Sequence, residues 1–498
     1  MKIFSAAQIR EIDAYTIEHE PIPSIELMER ASLAFVHWFV KRFSDKNPIQ
    51  TFCGLGNNGG DGLAITRLLL ERGFQVEVFI CRFSKNSSPD FQLNEQRLKK
   101  LTKVYEITDE ASIPKITEGL VIDALFGSGL SRPISGFTAK LVEKINQGNC
   151  TTISVDIASG LYCDSYNADP NIIKPDHTVS FQFPKLAFLL PKNHKYCGEF
   201  HLVNIGLSPK KIADYETPFF YLKKETVQHL YKKRGKYSHK GTYGHLQIIA
   251  GSYGKIGAAV LALRAGLKTG VGLLTAFVPK CGYAIVQSCV PEAMCLTDTQ
   301  DEHLSTIETA PTASYFALGP GIGKHPDTLV ALRNFLEKAE KPLVIDADAI
   351  NLISENPDLL NSIPQNSIFT PHPKEFERLV GKWENEFERL EKLRQFCQQH
   401  QFVCIIKGAH TAIGLPNGKI YFNSTGNPGM ATGGSGDVLT GMIGSLLAQG
   451  YPPKEATLLG VYLHGLAGDI AARKLGMEAV SATDIINNIG NAFQVVAQ

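Results

Sequence analysis

Several features that mark common function classes are missing from this sequence. Its ten cysteines form no CxxC pair and no zinc-ligand spacing, which excludes a sequence-local zinc motif and leaves them as reduced core residues. Charge of one sign is also missing. The 50 Lys and Arg balance 49 Asp and Glu to leave +1, so no overall field draws the chain to nucleic acid or anionic lipid. No apolar run approaches the ~18 residues a membrane span needs, and MKIFSAAQIREID has no signal-like apolar segment. These absences predict a cytoplasmic protein with neither a membrane nor a nucleic-acid partner. Internal repeats and low-complexity stretches are absent too.

What is present is a globular composition, 44% hydrophobic and 20% charged, with length for two large domains or about three ordinary ones. Ser5 and Gln8 form a capping-box signature before a helical stretch. Strands expected at 50–53, 75–81, 120–124 and 151–155 alternate with helices after Asp61, near 90–101 and after Gly136. That alternation predicts a parallel sheet flanked by helices. A basic, proline-containing stretch at 207–240 reads as a linker. Beyond it a second alternation places strands at 245–250, 315–318, 342–345, 368–369 and 402–406.

In the first half, CGLGNNGGDG at 53–62 follows a strand and opens a helix. Gly54, Gly56 and Gly59 satisfy GxGxxG, but the Asn and Asp side chains crowding the turn weaken a hydride-transfer reading. Anion binding by backbone N–H groups is the better use of the loop. Asp123 and Asp156 fall where parallel strands should end, so Asn58, Asp123, Asp156 and Ser159 are expected around one crevice, with oxygen donors suited to a hard cation.

Taken in order, NNGGDG, DALFGSGLSRP, VDIASG and FQFPKLAFLLP resemble the NAD(P)H-hydrate epimerase (YjeF N-terminal) family over about residues 5–215. The resemblance implies that the hydrated dinucleotide meets Asn57, Asn58, Gly59, Gly60 and Asp61, the loop Gly127, Ser128, Gly129, Leu130, Ser131, Arg132 and Pro133, and Asp156. It also implies a potassium ion on Asn58, Asp123 and Ser159. Ala158 and Ala187 stand where the family usually has Pro and Gly. Asp156 is the expected proton carrier, with Lys185 as its partner.

In the second half, NPGMATGGSGDVLTGMIGSLLAQG at 427–450 sets a glycine-rich turn before an apolar helix. Gly433, Gly434 and Gly436 allow N–H groups to converge on a phosphoryl group, and Asp437 beside them is suited to deprotonate an attacking hydroxyl. The GGSGD turn resembles the ribokinase-like superfamily. With HKGTYG, AGSYGKIGAAVLA, GPGIG, DADAIN, TPHPKEFERL and KGAHT, residues 225–495 resemble the ADP-dependent NAD(P)H-hydrate dehydratase family. That implies nucleotide contacts at Lys407, Gly408, Ala409, His410, Thr411 and Gly436, and hydrate contacts at Ala259, Gly323, His372 and Asp437. His372 with Glu375 is a candidate for orienting phosphate or magnesium, and Asp346 and Asp348 stand behind it.

The expected chain is therefore α/β throughout, with a Rossmann-like α/β/α sandwich at 1–215 and a ribokinase-like domain at 223–498. It would be a homo-oligomer repairing NADHX and NADPHX, the hydrates of NADH and NADPH. One half would epimerise the R and S forms, and the other would dehydrate the S form at the expense of ADP. Potassium would serve the first domain and magnesium the second. Two rivals share the motifs: a small-molecule kinase, which would leave a stable phosphorylated product, and a dimerising or RNA-associated scaffold, which would bind neither dinucleotide nor potassium.

Overall fold

The computed structural model describes residues 1–168 and 170–498. These form two compact units, one of Lys2–Thr217 and one of Met1 with Pro218–Gln498. No helix among the described residues is long and apolar enough to cross a membrane.

The first unit is built on a seven-stranded parallel sheet: β1 (Ile49–Cys53), β2 (Val76–Cys81), β3 (Val104–Ile107), β4 (Gly119–Ala124), β5 (Cys150–Val155), β6 (His177–Phe181) and β7 (Glu199–Val203). Its order is β3-β2-β1-β4-β5-β6-β7, so the chain reverses its winding between β1 and β4. In open parallel sheets a ligand crevice lies at such a switch point, beyond the carboxyl ends of the strands. One apolar layer packs Phe35, Leu63, Leu68 and Phe91 on one face, and another packs Phe52, Leu141, Ile157 and Phe188 on the other. Layers on both faces leave β1 buried at all five positions, the polar Gln50 and Thr51 included.

The helix after β1 spans Asn57–Leu70, so it begins four residues before the expected start at Asp61 and NNGGD is its first turn. The glycines there serve close packing. A methyl at Gly54 would lie 1.8 Å from the Leu125 carbonyl oxygen, and one at Gly59 would lie 2.0 Å from that of Gly54. Gly59→Ala is expected to cost about 1–3 kcal/mol or more, seen as a lower melting temperature of the transition that includes this unit.

The second unit carries ten strands: β8 (Phe219–Leu222), β9 (His245–Ile249), β10 (Leu273–Val278), β11 (Met294–Thr297), β12 (Tyr315–Leu318), β13 (Val344–Ile345), β14 (Ile368–Phe369), β15 (Val403–Ile406), β16 (Ala412–Gly414) and β17 (Ile420–Asn423). They run β11-β10-β9-β12-β13-β14-β15-β16-β17-β8. The switch point lies between β9 and β12, so each unit winds outward from its first long central strand although the sequences show no repeat. Only β16 is antiparallel to its neighbours.

The stretch 207–240 contains the junction between the two units, but it is not a plain linker. Pro209–Asp214 is a short helix, and β8 pairs in parallel with β17 from Phe219↔Ile420 to Leu222↔Asn423 as an edge strand. The Lys and Pro residues around β8 hide an edge strand whose pairing partner lies about 200 residues away in the chain.

Candidate functional site

Two separate sites emerge, one at the carboxyl ends of each sheet. In the first unit β4 carries Asp123 and the chain leaving β5 carries Asp156 and Ser159. Asp123 is fully buried. It accepts from the Ser159 hydroxyl (2.5 Å) and N–H (2.9 Å), the Ser154 hydroxyl (2.7 Å) and the Leu125 N–H (3.3 Å). Burial pushes its carboxyl above the usual range despite these bonds. Asn58 donates to the Val155 carbonyl at 2.8 Å, while its Oδ1 is buried with no partner. Gly127 lies against Asn58, since a methyl there would be 3.0 Å from Asn58 Cβ. An orphaned amide oxygen beside a buried carboxylate fits a hard monovalent cation.

Asp156 adopts φ +66°, a backbone conformation that non-glycine residues rarely hold and that recurs at functional sites. Its Oδ1 accepts from Lys185 Nζ at 2.5 Å and from the Phe181 N–H at 3.0 Å. Lys185 is only 1% exposed and also donates to the Ser180 hydroxyl at 2.8 Å, so it is a buried lysine and not a surface one. The ammonium is thus held on the carboxylate.

Sequence reasoning missed Asp13, on the first helix (Ala6–His19). Its carboxyl is pushed up to about 7, first by burial and then by the charge of Asp156, and its Oδ1 is buried without a partner. Asp61 is pushed up by the same two causes. Asp13, Asp61, Asp123 and Asp156, four acids, therefore share this end of the sheet with one lysine. The signal available was the spacing of Asp13, four residues from both Ile9 and Ile17, which places an acid on the apolar face of the helix.

Gly59 and Gly60, expected to touch the hydrate, are buried against protein. The Gly60 N–H is already bonded to the Gly56 carbonyl at 3.0 Å, and a methyl there would strike Met28. Asn57, Asn58 and Gly59, as the first residues of the helix, have no carbonyl within it to bond their N–H groups, and these remain suited to an anion.

In the second unit the helix Ser435–Ala448 starts from Gly434, at φ +88°. Asp346, 1% exposed, takes Lys407 Nζ at 3.0 Å and the Thr440 hydroxyl at 2.7 Å. A methyl on Gly436 would lie 3.2 Å from Lys407 Nζ and 3.8 Å from Asp346 Oδ2, so glycine is what lets the ion pair reach the helix start. Asp437, one residue on, is pushed up to about 7, by burial first and the charge of Asp346 second. A carboxyl poised there is suited to proton transfer near neutral pH.

His372 and Glu375 do not stand free. The His372 Nδ1 accepts from the Lys374 and Glu375 N–H groups, and Glu375 accepts from the His372 N–H at 2.8 Å, a capping box at the helix Pro373–Val380. Burial holds the imidazole below its ordinary pKa, so near neutral pH it is an uncharged ring with Nε2 as its remaining polar atom. An acid spent on capping and a neutral imidazole do not form a magnesium cage. Asp348 accepts from the Gly323 N–H at 2.9 Å, which orders the GPGIG loop. His410 shares its Nδ1 with the Asn423 carbonyl at 3.2 Å, and Thr411 bonds to both the N–H and the carbonyl of Gly408. Ala259 is buried.

Two further residues support the glycine-rich turn and were not foreseen. Asp469 accepts from the Gly426 N–H (3.0 Å) and the Asn427 side chain (2.9 Å). His464, held neutral by burial at about 4, lies 3.4 Å from the Ser435 hydroxyl. Both come from the long helix Pro453–Leu475, whose apolar run conceals them. A cavity of about 710 Å³ lined by Thr306, Glu308, Phe316, Asn334 and Lys341 lies toward the amino ends of β12 and β13, away from this chemistry.

Comparison with known proteins adds identity to the geometry. Residues 246–491 match the NAD(P)H-hydrate dehydratase family and residues 24–187 the YjeF-related protein N-terminus. The bifunctional NAD(P)H-hydrate repair enzyme Nnr of Moorella thermoacetica is 35% identical, over 98% of this chain and 96% of its own length. That of Coxiella burnetii is 34% identical over 98% of each. Among solved structures, the ADP/ATP-dependent NAD(P)H-hydrate dehydratase of Bacillus subtilis, co-crystallised with ATP and Mg²⁺, is 29% identical and has a TM-score of 0.50. The match covers 56% of this chain and 98% of that one.

Proposed function

This chain belongs to the family of bifunctional NAD(P)H-hydrate repair enzymes, and we propose that its two units divide the repair between them. Residues 1–215 would epimerise the R and S hydrates of NADH and NADPH, and residues 223–498 would dehydrate the S form at the expense of ADP. The observation that carries this reading is the presence in one chain of two separate acid–lysine sites at sheet carboxyl ends, Asp156–Lys185 and Asp437 beside Asp346–Lys407.

In the first unit the hydroxyl sits on the ring carbon next to nitrogen, so the nitrogen lone pair expels it and a planar iminium remains. Water adds back to either face. Asp156 holds the proton that moves with the hydroxyl, and Lys185 keeps the carboxylate oriented. Asn58, Asp123 and Ser159 would hold potassium, which would offset the buried carboxylate and the dinucleotide phosphates. Asp123→Asn is expected to weaken hydrate binding at least 10-fold and to abolish its dependence on potassium, as read by calorimetry in potassium and in sodium buffer. Unchanged binding in both buffers would remove the cation from the reading.

In the second unit Asp437 takes the proton of the S hydroxyl as its oxygen attacks the β-phosphorus of ADP, and AMP leaves. The phosphate ester then departs more readily than hydroxide, driven by the same nitrogen lone pair, the ring carbon next to the iminium gives up its proton to restore the double bond, and NAD(P)H and inorganic phosphate remain. The N–H groups of Gly436 and Asp437 at the helix start, together with Lys407, hold the charge that builds on the phosphoryl oxygens. Magnesium would ride on the nucleotide phosphates, since the carboxylates here are already bonded to protein.

The test is a mixture of hydrate epimers with the full chain. ADP should restore the nicotinamide absorbance beyond the S fraction, whereas omission of ADP should restore none. Recovery that stops at the S fraction would remove the epimerase, and a stable phosphorylated product would replace the dehydratase by a kinase. The ten free cysteines, none paired among the described residues, support a reducing, cytoplasmic setting.

A further inference from the structure

We propose that His177, Glu199 and His201 form a binding site for a divalent transition-metal ion of the zinc class, on the edge of the first unit's sheet and independent of the repair reading. Register puts them together. His177 opens β6 directly opposite Glu199, the first residue of the edge strand β7, and His201 follows two residues on, so alternation returns it to the same face.

The ligand atoms make a compact triangle. His177 Nδ1 and His201 Nε2 are 3.3 Å apart, and Glu199 Oε2 stands 3.7 Å from the first and 3.8 Å from the second. The circle through these three points has a radius of about 2.1 Å, which is the bond length zinc takes to imidazole nitrogen and carboxylate oxygen. As a hydrogen bond the 3.3 Å contact is long, beyond the usual ~2.7–3.2 Å. As one edge of a metal site it is the right size.

The surroundings agree. Trp38 packs beside both rings, with centroids 5.7 Å from His177 and 4.8 Å from His201, and Phe43 adds a second wall at 6.0 Å from His177. Arg42, whose guanidinium lies over Trp38, opposes a cation here, and the Glu199 carboxylate offsets it. Glu199 is 70% exposed, which leaves a coordination position for water on the solvent side. A bound ion would tie β7 to β6.

A second cluster, His303, His325 and Asp327, lacks this geometry. Its imidazoles stack face to face at 3.8 Å, and His325 Nδ1 already accepts the Asp327 N–H. It serves as the internal control.

The experiment uses tag-free, chelator-stripped full-length protein titrated with Co²⁺ by visible absorption and with Zn²⁺ by calorimetry. One equivalent is expected, with a cobalt spectrum of nitrogen and oxygen ligation and a higher melting temperature for the transition that includes this unit. His201→Gln should weaken binding at least 100-fold and Glu199→Gln about 10-fold, with ADP-dependent dehydration unchanged in both, while His303→Gln should bind as the parent does. The exposed Glu199 can be replaced without disturbing the sheet, so that variant decides even if the His201 change impairs folding. Binding of equal strength in Glu199→Gln and the parent, loss of binding in His303→Gln, or no stoichiometric binding by the parent would each overturn the site.

Discussion

Replacing Asp437 by asparagine is expected to lower ADP-dependent dehydration by about 10²–10⁴-fold while ADP still binds. Asparagine keeps the shape of the side chain and can still occupy the first helical turn, but it cannot accept the proton of the attacking hydroxyl. Two pH effects accompany the change. In the parent the carboxyl is pushed to about 7 by burial and by Asp346, so kcat/KM should fall roughly 10-fold per pH unit below about 7 as the base is protonated. Stability moves the other way. Because the folded pKa lies above the ordinary 3.8, the folded chain holds the extra proton between those values, and its stability falls as pH rises through about 7. The asparagine side chain carries no such charge, so the Asp437→Asn variant should melt higher than the parent at about pH 8. Near-normal turnover with ADP would reduce Asp437 to a helix-start residue. The search for the base would then move to Asp346, because His372, whose Nδ1 accepts from two N–H groups, carries its ring proton on Nε2.

The second large effect is expected at Asp156. Asparagine tolerates the positive φ that this position requires, and its Oδ1 can still accept from the Phe181 N–H and Lys185 Nζ, so Asp156→Asn should fold. It cannot carry a proton between the two faces of the ring. With the full chain, ADP and the R hydrate alone, recovery of NADH should slow by about 10²–10⁴-fold, while the S hydrate is dehydrated at the parent rate. That contrast within one chain separates lost chemistry from lost folding. If R-hydrate recovery were unaffected, the proton would have to travel through Asp13, whose carboxyl sits near neutrality beside it.

Much of both sites was legible in the residues because chemistry at a sheet end leaves local marks. Asp123 and Asp156 end or follow apolar runs and the GGSGD turn opens one, and alternation of strands with helices places such ends at one rim. The short strands β3, β6, β7, β16 and β17 were not legible. Each is five residues or fewer, and several alternate polar with apolar positions, so neither length nor periodicity distinguishes them from loops; the four-residue β8 and β11 and the six-residue, largely apolar β10 were not foreseen either. Glycine was misread for a related reason. GxGxxG describes a need for small residues but not what approaches them, and at Gly54 and Gly59 the approaching group is backbone rather than phosphate.

The sequence by itself determined the α/β class, the two halves, their families and the acids on which the repair chemistry would turn, because these depend on local order and residue type. Only the tertiary structure decided which groups share a charge environment. Lys185 was a lysine after a proline until burial placed its ammonium on Asp156, and Asp13 was a polar helix position until folding brought it under the influence of an acid 143 residues away in the chain. His372 appeared free to bind until the helix it caps claimed its Nδ1. The physical reason is the same in each case: desolvation and Coulomb interactions depend on distance in space and on exclusion of water, and neither quantity is carried by spacing along the chain.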